Sequence, residues 1–389
     1  MTTKMYLMFA LVLSLFLAPH AAVQAQTYTE SVLYSFNGGV GGSEPLFSGI
    51  VVDDAGNFYG TTVSGGTYNL GTVFKVDASG TETVLHSFGE GFDGRSPFAG
   101  LVSDGLGHFF GTATNGGTRN SQCHIGCGIV FEIDVDGNMK TLHQFGGPDG
   151  ANPVGGLIRD SAGNLYGTTE MGGRYRSGTV FKLDRTGAES VLYTFAGPPD
   201  GEYPEAGLIR DAVGNLYGTT AGGGSIGGGT VFELDASGHE TVIHSFGGTS
   251  DGSDPRAPLL RTSNGDLYGT TFSGGAGVGT VFKADASGNE KVLHTFDGSS
   301  GAYPEAPLVS DAEGNLYGVT IQGGPVGISG GILFEINAQG VFSPVYAFPG
   351  EPFGASPAGP LMMDATGVIY GTTASGGTSN NGTVFKLTP

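Results

Sequence analysis

The chain has 389 residues, 74 of them glycine, no tryptophan, and a formal net charge of −20. Because a chain this acidic repels phosphate backbones, we do not expect nucleic acid among its partners. Apolar residues make up 38% of the sequence, which is enough for a packed β protein and excludes a disordered one. Frequent glycine without a Gly-X-Y period indicates many tight turns and excludes collagen.

The first segment, residues 1–25, has the pattern of a secretory signal peptide. Lys4 precedes an uncharged apolar run, residues 5–18, and Val23-Gln24-Ala25 offers small residues to a signal peptidase. The alternative is a membrane anchor, but the apolar run is short of the ~20 residues that a span requires. We therefore expect cleavage after Ala25 and export to the extracellular space or the periplasm. The mature chain, residues 26–389, is expected to be one domain without a membrane span.

Beyond this segment, one motif with a glycine directly after an aromatic residue recurs seven times. The seven glycines are Gly60, Gly111, Gly167, Gly218, Gly269, Gly318 and Gly371. Their spacings of 51, 56, 51, 51, 49 and 53 residues indicate a repeat architecture.

Each repeat unit contains four short runs rich in β-branched and aromatic residues, separated by glycine and aspartate turns. In the first unit the predicted strands are residues 50–52, 57–62, 71–76 and 83–88. Four such runs predict a four-stranded antiparallel sheet, which we call a blade. Seven blades bury both faces of every sheet when they are arranged radially, so the predicted fold is an all-β, seven-bladed β-propeller.

The two ends of the mature chain predict how the propeller closes. Residues 31–36 form a lone fourth-strand run, and residues 382–387 form a third-strand run with no fourth strand after it. We therefore expect these two segments to pair and to complete the last blade.

The motifs GNLYGTT at 163–169 and GTVFKLD at 178–184 resemble the GloVer tandem repeat of exported bacterial proteins. The resemblance covers residues 31–389, and a weaker one is to NHL-type propellers. It implies export and a propeller-like repeat, and it implies no catalytic residues. Many members look like surface proteins with a C-terminal sorting anchor, whereas this sequence stops at its last repeat.

Cys123 and Cys127 are the two cysteines of the chain, and they lie in the longest predicted loop between a second and a third strand. In an exported protein such a pair predicts a local disulfide. A metal site would want more ligands than the neighbouring His124 supplies.

Two recurrent polar positions are expected to serve packing. Histidine or tyrosine occupies one position of every fourth strand, such as His143 and Tyr193, and a catalytic base would not exchange with tyrosine so freely. A tyrosine precedes six of the seven motif glycines, such as Tyr166 before Gly167, and is expected to pack between blades with its hydroxyl on a backbone partner.

The long, variable connections, second to third strand and fourth to first, share one face of the predicted propeller, the long-loop face, where function in repeat scaffolds usually lies. Four aspartates of this face each precede a glycine, in four consecutive units: Asp93, Asp149, Asp200 and Asp251. We predict that they form a ligand-binding group that attracts a cation, with calcium the possible one. The alternative is that each Asp-Gly pair serves only its turn. No other cofactor is expected.

The function predicted first is that of a secreted, non-catalytic, monomeric propeller that binds an extracellular polymer or protein on the long-loop face. No Ser/His/Asp set or carboxylate pair stands at a recognisable spacing. One alternative is an extracellular glycan lyase or hydrolase with its site at the mouth of the central channel. Another is a purely structural cell-surface protein, because fold alone cannot choose among these.

Overall fold

The computed structural model of the chain describes residues 28–89, 93–275, 277–285, 287–325 and 329–389. The predicted signal peptide, residues 1–25, lies outside these ranges. Within them, the regular structure is entirely β, with seven four-stranded sheets whose paired strands are antiparallel. None of the described segments forms a helix long and apolar enough to cross a membrane.

The predicted fold class is confirmed: the seven sheets are the blades of a β-propeller. Blades 1 to 7 follow the chain, and each begins with a two-residue strand beside the central channel. The first strands are Val51–Val52, Val102–Ser103, Ile158–Arg159, Ile209–Arg210, Leu260–Arg261, Val309–Ser310 and Met362–Met363. The second strands are Phe58–Thr62, His108–Ala113, Leu165–Thr169, Leu216–Thr220, Leu267–Thr271, Leu316–Thr320 and Ile369–Thr373.

The third and fourth strands of each blade are longer than the first, and they carry the recurrent phenylalanines or lead into them. The third strands are Thr72–Val76, Ile129–Asp134, Thr179–Leu183, Thr230–Leu234, Thr280–Ala284, Ile332–Ile336 and Thr383–Thr388. The fourth strands are Glu82–Ser87, Met139–Gln144, Glu189–Thr194, Glu240–Ser245, Glu290–Thr295, Phe342–Ala347 and, for blade 7, Thr29–Ser35. Three two-residue ribbons join long loops: Gly42–Ser43 with Ser64–Gly65, Gly201–Glu202 with Gly222–Gly223, and Gly354–Ala355 with Ser375–Gly376.

The predicted closure is also confirmed. The N-terminal strand pairs antiparallel with the last strand of the chain, with Ser35 opposite Thr383 and Val32 opposite Phe385. The pairing begins at Thr29, two residues before the predicted start. The Tyr346 hydroxyl of blade 6 donates to the Glu30 carboxylate at 2.7 Å, so the N-terminal strand is held by two blades.

The hydrophobic core is divided into seven clusters, each of which joins neighbouring blades. Their common element is an edge-to-face contact between the phenylalanine after one fourth strand and the third-strand phenylalanine of the next blade. Phe195 and Phe232, for example, have ring centroids 5.1 Å apart at 70°. Such contacts stabilise by about 0.5–1.5 kcal/mol beyond the apolar area that they bury.

The motif glycine is explained by the same phenylalanine. A Cβ added at Gly167 would lie 2.7 Å from Phe181 Cζ and 3.0 Å from Leu157 Cδ2. A Cβ added at any of the other six motif glycines would lie 2.5–2.7 Å from the third-strand phenylalanine. Glycine therefore recurs at this position because the third-strand phenylalanine ring already fills the space that a Cβ would need.

The motif tyrosines pack between blades as predicted. The prediction that their hydroxyls bond to the backbone is wrong for Tyr59 and Tyr166, whose hydroxyls donate to carboxylates. Tyr59 donates to the Asp53 carboxylate and Tyr166 to the Asp160 carboxylate, each at 3.0 Å. The partner is a side chain because the aspartate that caps the turn between the first two strands points back along the second strand.

The predicted disulfide is confirmed, with Cys123 bonded to Cys127 in the loop between the second and third strands of blade 2. The backbone of this loop also meets the next blade, because the Asn152 amide donates to the Cys127 carbonyl at 2.8 Å.

Candidate functional site

The central channel holds a cavity of about 660 Å³ lined by residues of all seven blades. Its lining comes from the segment before each first strand and from the residue after some second strands, such as Thr114 and Glu170. Both positions lie where the long loops meet the channel. We call this region the channel mouth, and it opens on the face where the sequence places function.

The backbone at the channel mouth is the same in every blade. A residue with left-handed backbone, φ between 53° and 61°, precedes a proline. Its amide donates to a carbonyl in the long loop of the preceding blade at 2.7–3.0 Å, and its carbonyl accepts from the residue after its own second strand at 2.9–3.3 Å. These bonds hold a conformation that a non-glycine residue otherwise adopts rarely. The seven residues are Glu44, Ser96, Asn152, Tyr203, Asp254, Tyr303 and Ser356.

We call this left-handed residue and the proline after it the elbow. The residue that follows the elbow faces the channel, and it differs from blade to blade. In blade 1 an extra residue is present and Phe47 lines the cavity. The seven residues, in blade order, are Phe47, Phe98, Val154, Glu205, Arg256, Glu305 and Ala358. Blades 1 to 3 therefore supply an apolar wall and blades 4 to 6 a charged wall, on one conserved backbone.

Arg256 is the centre of the charged wall. Its Nε and Nη2 donate to the two carboxylate oxygens of Asp254 at 2.9 and 2.7 Å, and Nη1 donates to Glu305 Oε1 at 3.3 Å. Glu205 Oε2 lies 3.7 Å from Nε, and the Phe272 ring lies 4.3 Å below the guanidinium carbon. The hydrogen bonds to Asp254 raise the pKa of Arg256 further, so this side chain is a fixed cation.

The carboxylates of the channel mouth outnumber that cation. Burial raises the pKa of Glu205 to about 7, against the attraction of Arg256 and with the repulsion of Glu170, Asp254 and Glu305. Burial also raises the pKa of Glu170 and of Glu305. Because one guanidinium cannot compensate four carboxylates, the wall is negative and its glutamates titrate above their ordinary range.

The apolar wall stands in the same cavity. The Phe47 and Phe98 rings stack with centroids 6.3 Å apart at 24°, and both side chains remain half-buried beside Val154. Deeper in the channel the lining is glycine, proline and aliphatic, as at Gly156, Pro258 and Leu208. Small residues there let neighbouring blades approach closely, since a Cβ at Gly100 would meet the Gly49 backbone at 2.5 Å.

The four aspartates predicted as a binding group lie elsewhere, at the outer rim of the long-loop face. Their carboxylates each accept the amide that follows a fourth-strand phenylalanine, at 2.8–3.2 Å. Each also contacts the fourth-strand histidine or tyrosine: His86–Asp93 3.3 Å, His143–Asp149 3.0 Å, Tyr193–Asp200 2.9 Å and His244–Asp251 3.3 Å. None of the four is among the residues that line the channel cavity.

A glutamate of the next blade completes several of these rim contacts. Ligand atoms of His143, Asp149 and Glu189 lie within 4.8 Å of one another, and the Tyr34 hydroxyl donates to Glu82 at 2.7 Å. The histidine or tyrosine also lies edge-on against the phenylalanine two residues later in all seven blades, with centroids 4.7–5.1 Å apart. This set confirms packing as a role of the recurrent position, and the rim aspartates stay a prediction as a cation site.

The family model of the Gloeobacter/Verrucomicrobia repeat matches residues 22–221 and 207–389. The chain belongs to this repeat family. No curated protein matches the sequence of this chain. Among solved structures, the extracellular domain of BT4673 from B. thetaiotaomicron is similar, with 12% identity and a TM-score of 0.56 over 92% of this chain. The extracellular domain of BT3049 from the same organism matches with 14% identity and a TM-score of 0.58 over 93% of this chain.

This Gloeobacter/Verrucomicrobia repeat protein spans about two fifths of the length of those solved structures, 40% and 41%. At such low identity the likeness shows the propeller fold alone. The channel-mouth residues were missed from the sequence because no motif contains them. The signal that would have found them is the residue after the recurrent proline, which changes chemistry while its neighbours repeat.

Proposed function

We propose that this protein is a secreted, non-catalytic binding propeller that holds an extended polymer or peptide on its long-loop face. One observation carries the proposal: beside the channel cavity lies a second groove of about 430 Å³, and both are lined by Glu205 and Arg256. The groove runs between blades 4 and 5, along Tyr203, Gly222 and Ser253. An extended ligand fits this shape because one part can enter the channel mouth while the rest follows the groove outward.

Exposed aromatic residues support the same face. Tyr68, Tyr175, Tyr203 and Phe353 are 60%, 51%, 39% and 39% exposed, and all four lie in the long connections. On the opposite face, the large apolar side chains exposed among the described residues are aliphatic, such as Leu106. Exposed aromatic rings offer contact area to sugar or peptide at small entropic cost.

The proposed location is the extracellular space or the periplasm. The local disulfide supports it, since disulfides persist in oxidising compartments, and the signal-like residues 1–25 agree with it.

The experiment is a glycan and peptide array screened with the mature protein, with a turnover assay on every hit. The variant Phe98→Val places in blade 2 the residue that blade 3 carries at the same position, so the elbow should fold unchanged. We expect it to weaken binding of hits roughly tenfold, as for a buried aromatic anchor. Leu106→Ala, on the opposite face, is the matched control and should leave binding unchanged. Hits that survive Phe98→Val at full strength would contradict a ligand site at the channel mouth.

A second candidate, an extracellular enzyme acting on glycans, is favoured by Glu205. A carboxyl whose pKa is raised by burial to about 7, in a cleft beside other carboxylates, has the property of a general acid or base. Turnover of an array hit that is lost in Glu205→Gln with binding retained would favour the enzyme over the binding protein.

A further inference from the structure

The charged wall of the channel mouth has an uncompensated negative charge. Glu205, Asp254 and Glu305 of this wall, together with the adjacent Glu170 of blade 3, face one cation, Arg256. Four carboxylates against one guanidinium leave a formal charge of −3 when all are ionised. In a partly desolvated site this excess favours a cationic group, because low dielectric strengthens charge pairing.

The two carboxylates that remain available are Glu170 and Glu205. Asp254 is occupied by its two bonds to Arg256, and Glu305 by the third nitrogen. Among the described residues no side chain or backbone amide pairs with the Glu170 carboxylate, and the Glu205 carboxylate only approaches Arg256, at 3.7 Å. Both side chains line the cavity, so an entering donor meets two acceptors with unused capacity.

The rest of the cavity dictates what the cation is attached to. Phe47, Phe98 and Val154 face the ligand from the first three blades, and glycine, proline and leucine line the channel below. A ligand with hydroxyl groups all round would leave them unpaired against these surfaces. An unbranched aliphatic stem buries apolar area there without that cost.

We propose that the channel mouth binds a primary ammonium group on an aliphatic stem, the lysine side chain of an extended peptide, with Glu170 and Glu205 as its acceptors. The proposal rests on the proposed function and names the ligand class of that same site. The remainder of the peptide occupies the groove between blades 4 and 5. Anionic ligands are disfavoured because Arg256 has its guanidinium bonds committed to Asp254 and Glu305.

The probe is a fluorescent lysine tetrapeptide, measured by anisotropy, against a norleucine tetrapeptide that keeps the stem and lacks the charge. We expect the norleucine peptide to bind roughly tenfold more weakly or worse. Glu205→Val and Glu170→Ala install the residues that blades 3 and 4 carry at these positions, Val154 and Ala221. Each is expected to weaken the lysine peptide roughly tenfold, the effect of removing one partner of a charge pair.

Glu313→Gln is the matched control for the protein's overall charge. Glu313 is exposed in a turn of the opposite face, so its replacement removes the same charge far from the mouth. We expect the affinity to change less than about twofold, as for a surface position. Equal weakening in Glu313→Gln and Glu205→Val would mean general attraction to an acidic protein, and would overturn the proposal.

The pH dependence gives an independent reading. The groups that face Glu205 are Arg256, Glu170, Asp254 and Glu305, and an ionised Glu205 is the form that pairs with ammonium. Because burial raises the pKa of Glu205 to about 7, affinity for the lysine peptide should rise from pH 5.5 to pH 8. The rise should be absent in Glu205→Val. A flat profile in the parent protein would contradict the assigned acceptor.

A glucosamine tetramer separates the peptide from an amino-sugar polymer. If it binds and the lysine peptide does not, the peptide assignment is wrong. If the array hits are neutral ligands whose binding is weakened by Phe98→Val and unchanged by Glu205→Val, the assignment of a cationic ligand is wrong and the location of the site is supported. If no probe or array hit responds to either variant, the proposed function fails as well.

Discussion

The outer rim and the channel mouth are both rings with one position per blade, and they differ in how far the repeat is kept. At the rim, every blade places a histidine or tyrosine edge-on against the same phenylalanine, within 4.7–5.1 Å. At the mouth, the residue after the proline is aromatic in blade 2, acidic in blade 4 and basic in blade 5. The backbone is nonetheless equally regular at both.

The difference teaches which positions are held by packing and which are free to serve a ligand. A rim side chain contacts the next blade, so each replacement must satisfy two blades at once. Glu30 and Tyr346 show this, because their hydrogen bond joins the N-terminal strand of blade 7 to the fourth strand of blade 6. A mouth side chain projects into a cavity, and the same two backbone bonds hold its elbow in every blade. Its chemistry can therefore change without a change in fold.

The strongest way to break the rim ring is to remove the strand that closes it. A mature chain truncated before Ser35 loses most of Thr29–Ser35, the pairing with Thr383–Thr388 and the Glu30 bond. We expect a loss of at least about 3 kcal/mol in the free energy of unfolding, the scale of one large core truncation, and aggregation through the open edge. Thermal melting and solubility are measured against a chain that begins at Tyr28. Equal melting and solubility of the two chains would refute ring closure.

A glycine pair tests the comparison at the level of one methyl group. Gly167→Ala places a Cβ 2.7 Å from Phe181, whereas Gly156→Ala, at the channel, meets Ala99 Cβ at 3.8 Å. Overpacking should cost about 1–3 kcal/mol in the first variant and less than about 0.5 kcal/mol in the second. Denaturant unfolding gives both values. A Gly156→Ala variant as unstable as Gly167→Ala would show that the space beside Gly156 is as filled as that in the blade cores.

The rim should also respond to pH through its glutamates. Burial and the neighbouring Asp200 and Asp251 raise the pKa of Glu240 and of Glu290 to about 7. Between its pKa in the unfolded protein and about 7, such a carboxyl binds more protons in the native state than in the unfolded state. The free energy of unfolding therefore falls as the pH rises through that window. Both groups are partly exposed, so we expect less than about 1 kcal/mol from each.

The double variant Glu240→Gln, Glu290→Gln imitates the protonated form. We expect it to melt higher than the parent at pH 8 and at the same temperature at pH 5. Glu313→Gln removes an exposed acid and controls for overall repulsion. A double variant that tracks the parent at both pH values would show that the rim glutamates ionise freely.

The repeated parts of the molecule were predictable from the sequence because seven copies repeat the same physical constraint. The motif glycine appears in every unit since a third-strand ring fills the space beside it. The closing strand was predictable for the same reason, since a lone fourth-strand run at one end matches the missing one at the other.

The candidate site was not predictable from the repeats, because its residues differ from one blade to the next. Glu205, Arg256 and Glu305 come together only through the curvature of the ring, and about 50 residues separate each from the next. Glu170 joins them from a different position, after a second strand. The rim glutamates were missed for a related reason: Tyr34 and Glu82 stand 48 residues apart, and no local pattern links them.

The smallest expected effect tests whether the rim also binds a ligand. Asp93, Asp149, Asp200 and Asp251 remain the predicted calcium group, and their oxygens suit that ion. Each carboxylate already accepts a backbone amide, so calcium must compete with the turn. Where its concentration equals the Kd, binding to the native state adds only about 0.4 kcal/mol. Changing all four to Asn should abolish the small calcium-dependent rise in Tm.

The matched control is a second set of four aspartates, in turns of the opposite face that also cap their own backbone amides. These are Asp77, Asp184, Asp235 and Asp285. Changing them to Asn removes the same charge and the same turn chemistry, so the calcium effect should persist. A rise in Tm lost only with the rim set would mean that a rim position shared by four blades carries function, and would break the contrast between rim and mouth. A parent protein unmoved by millimolar calcium would make the rim aspartates turn residues and leave ligand binding to the mouth alone.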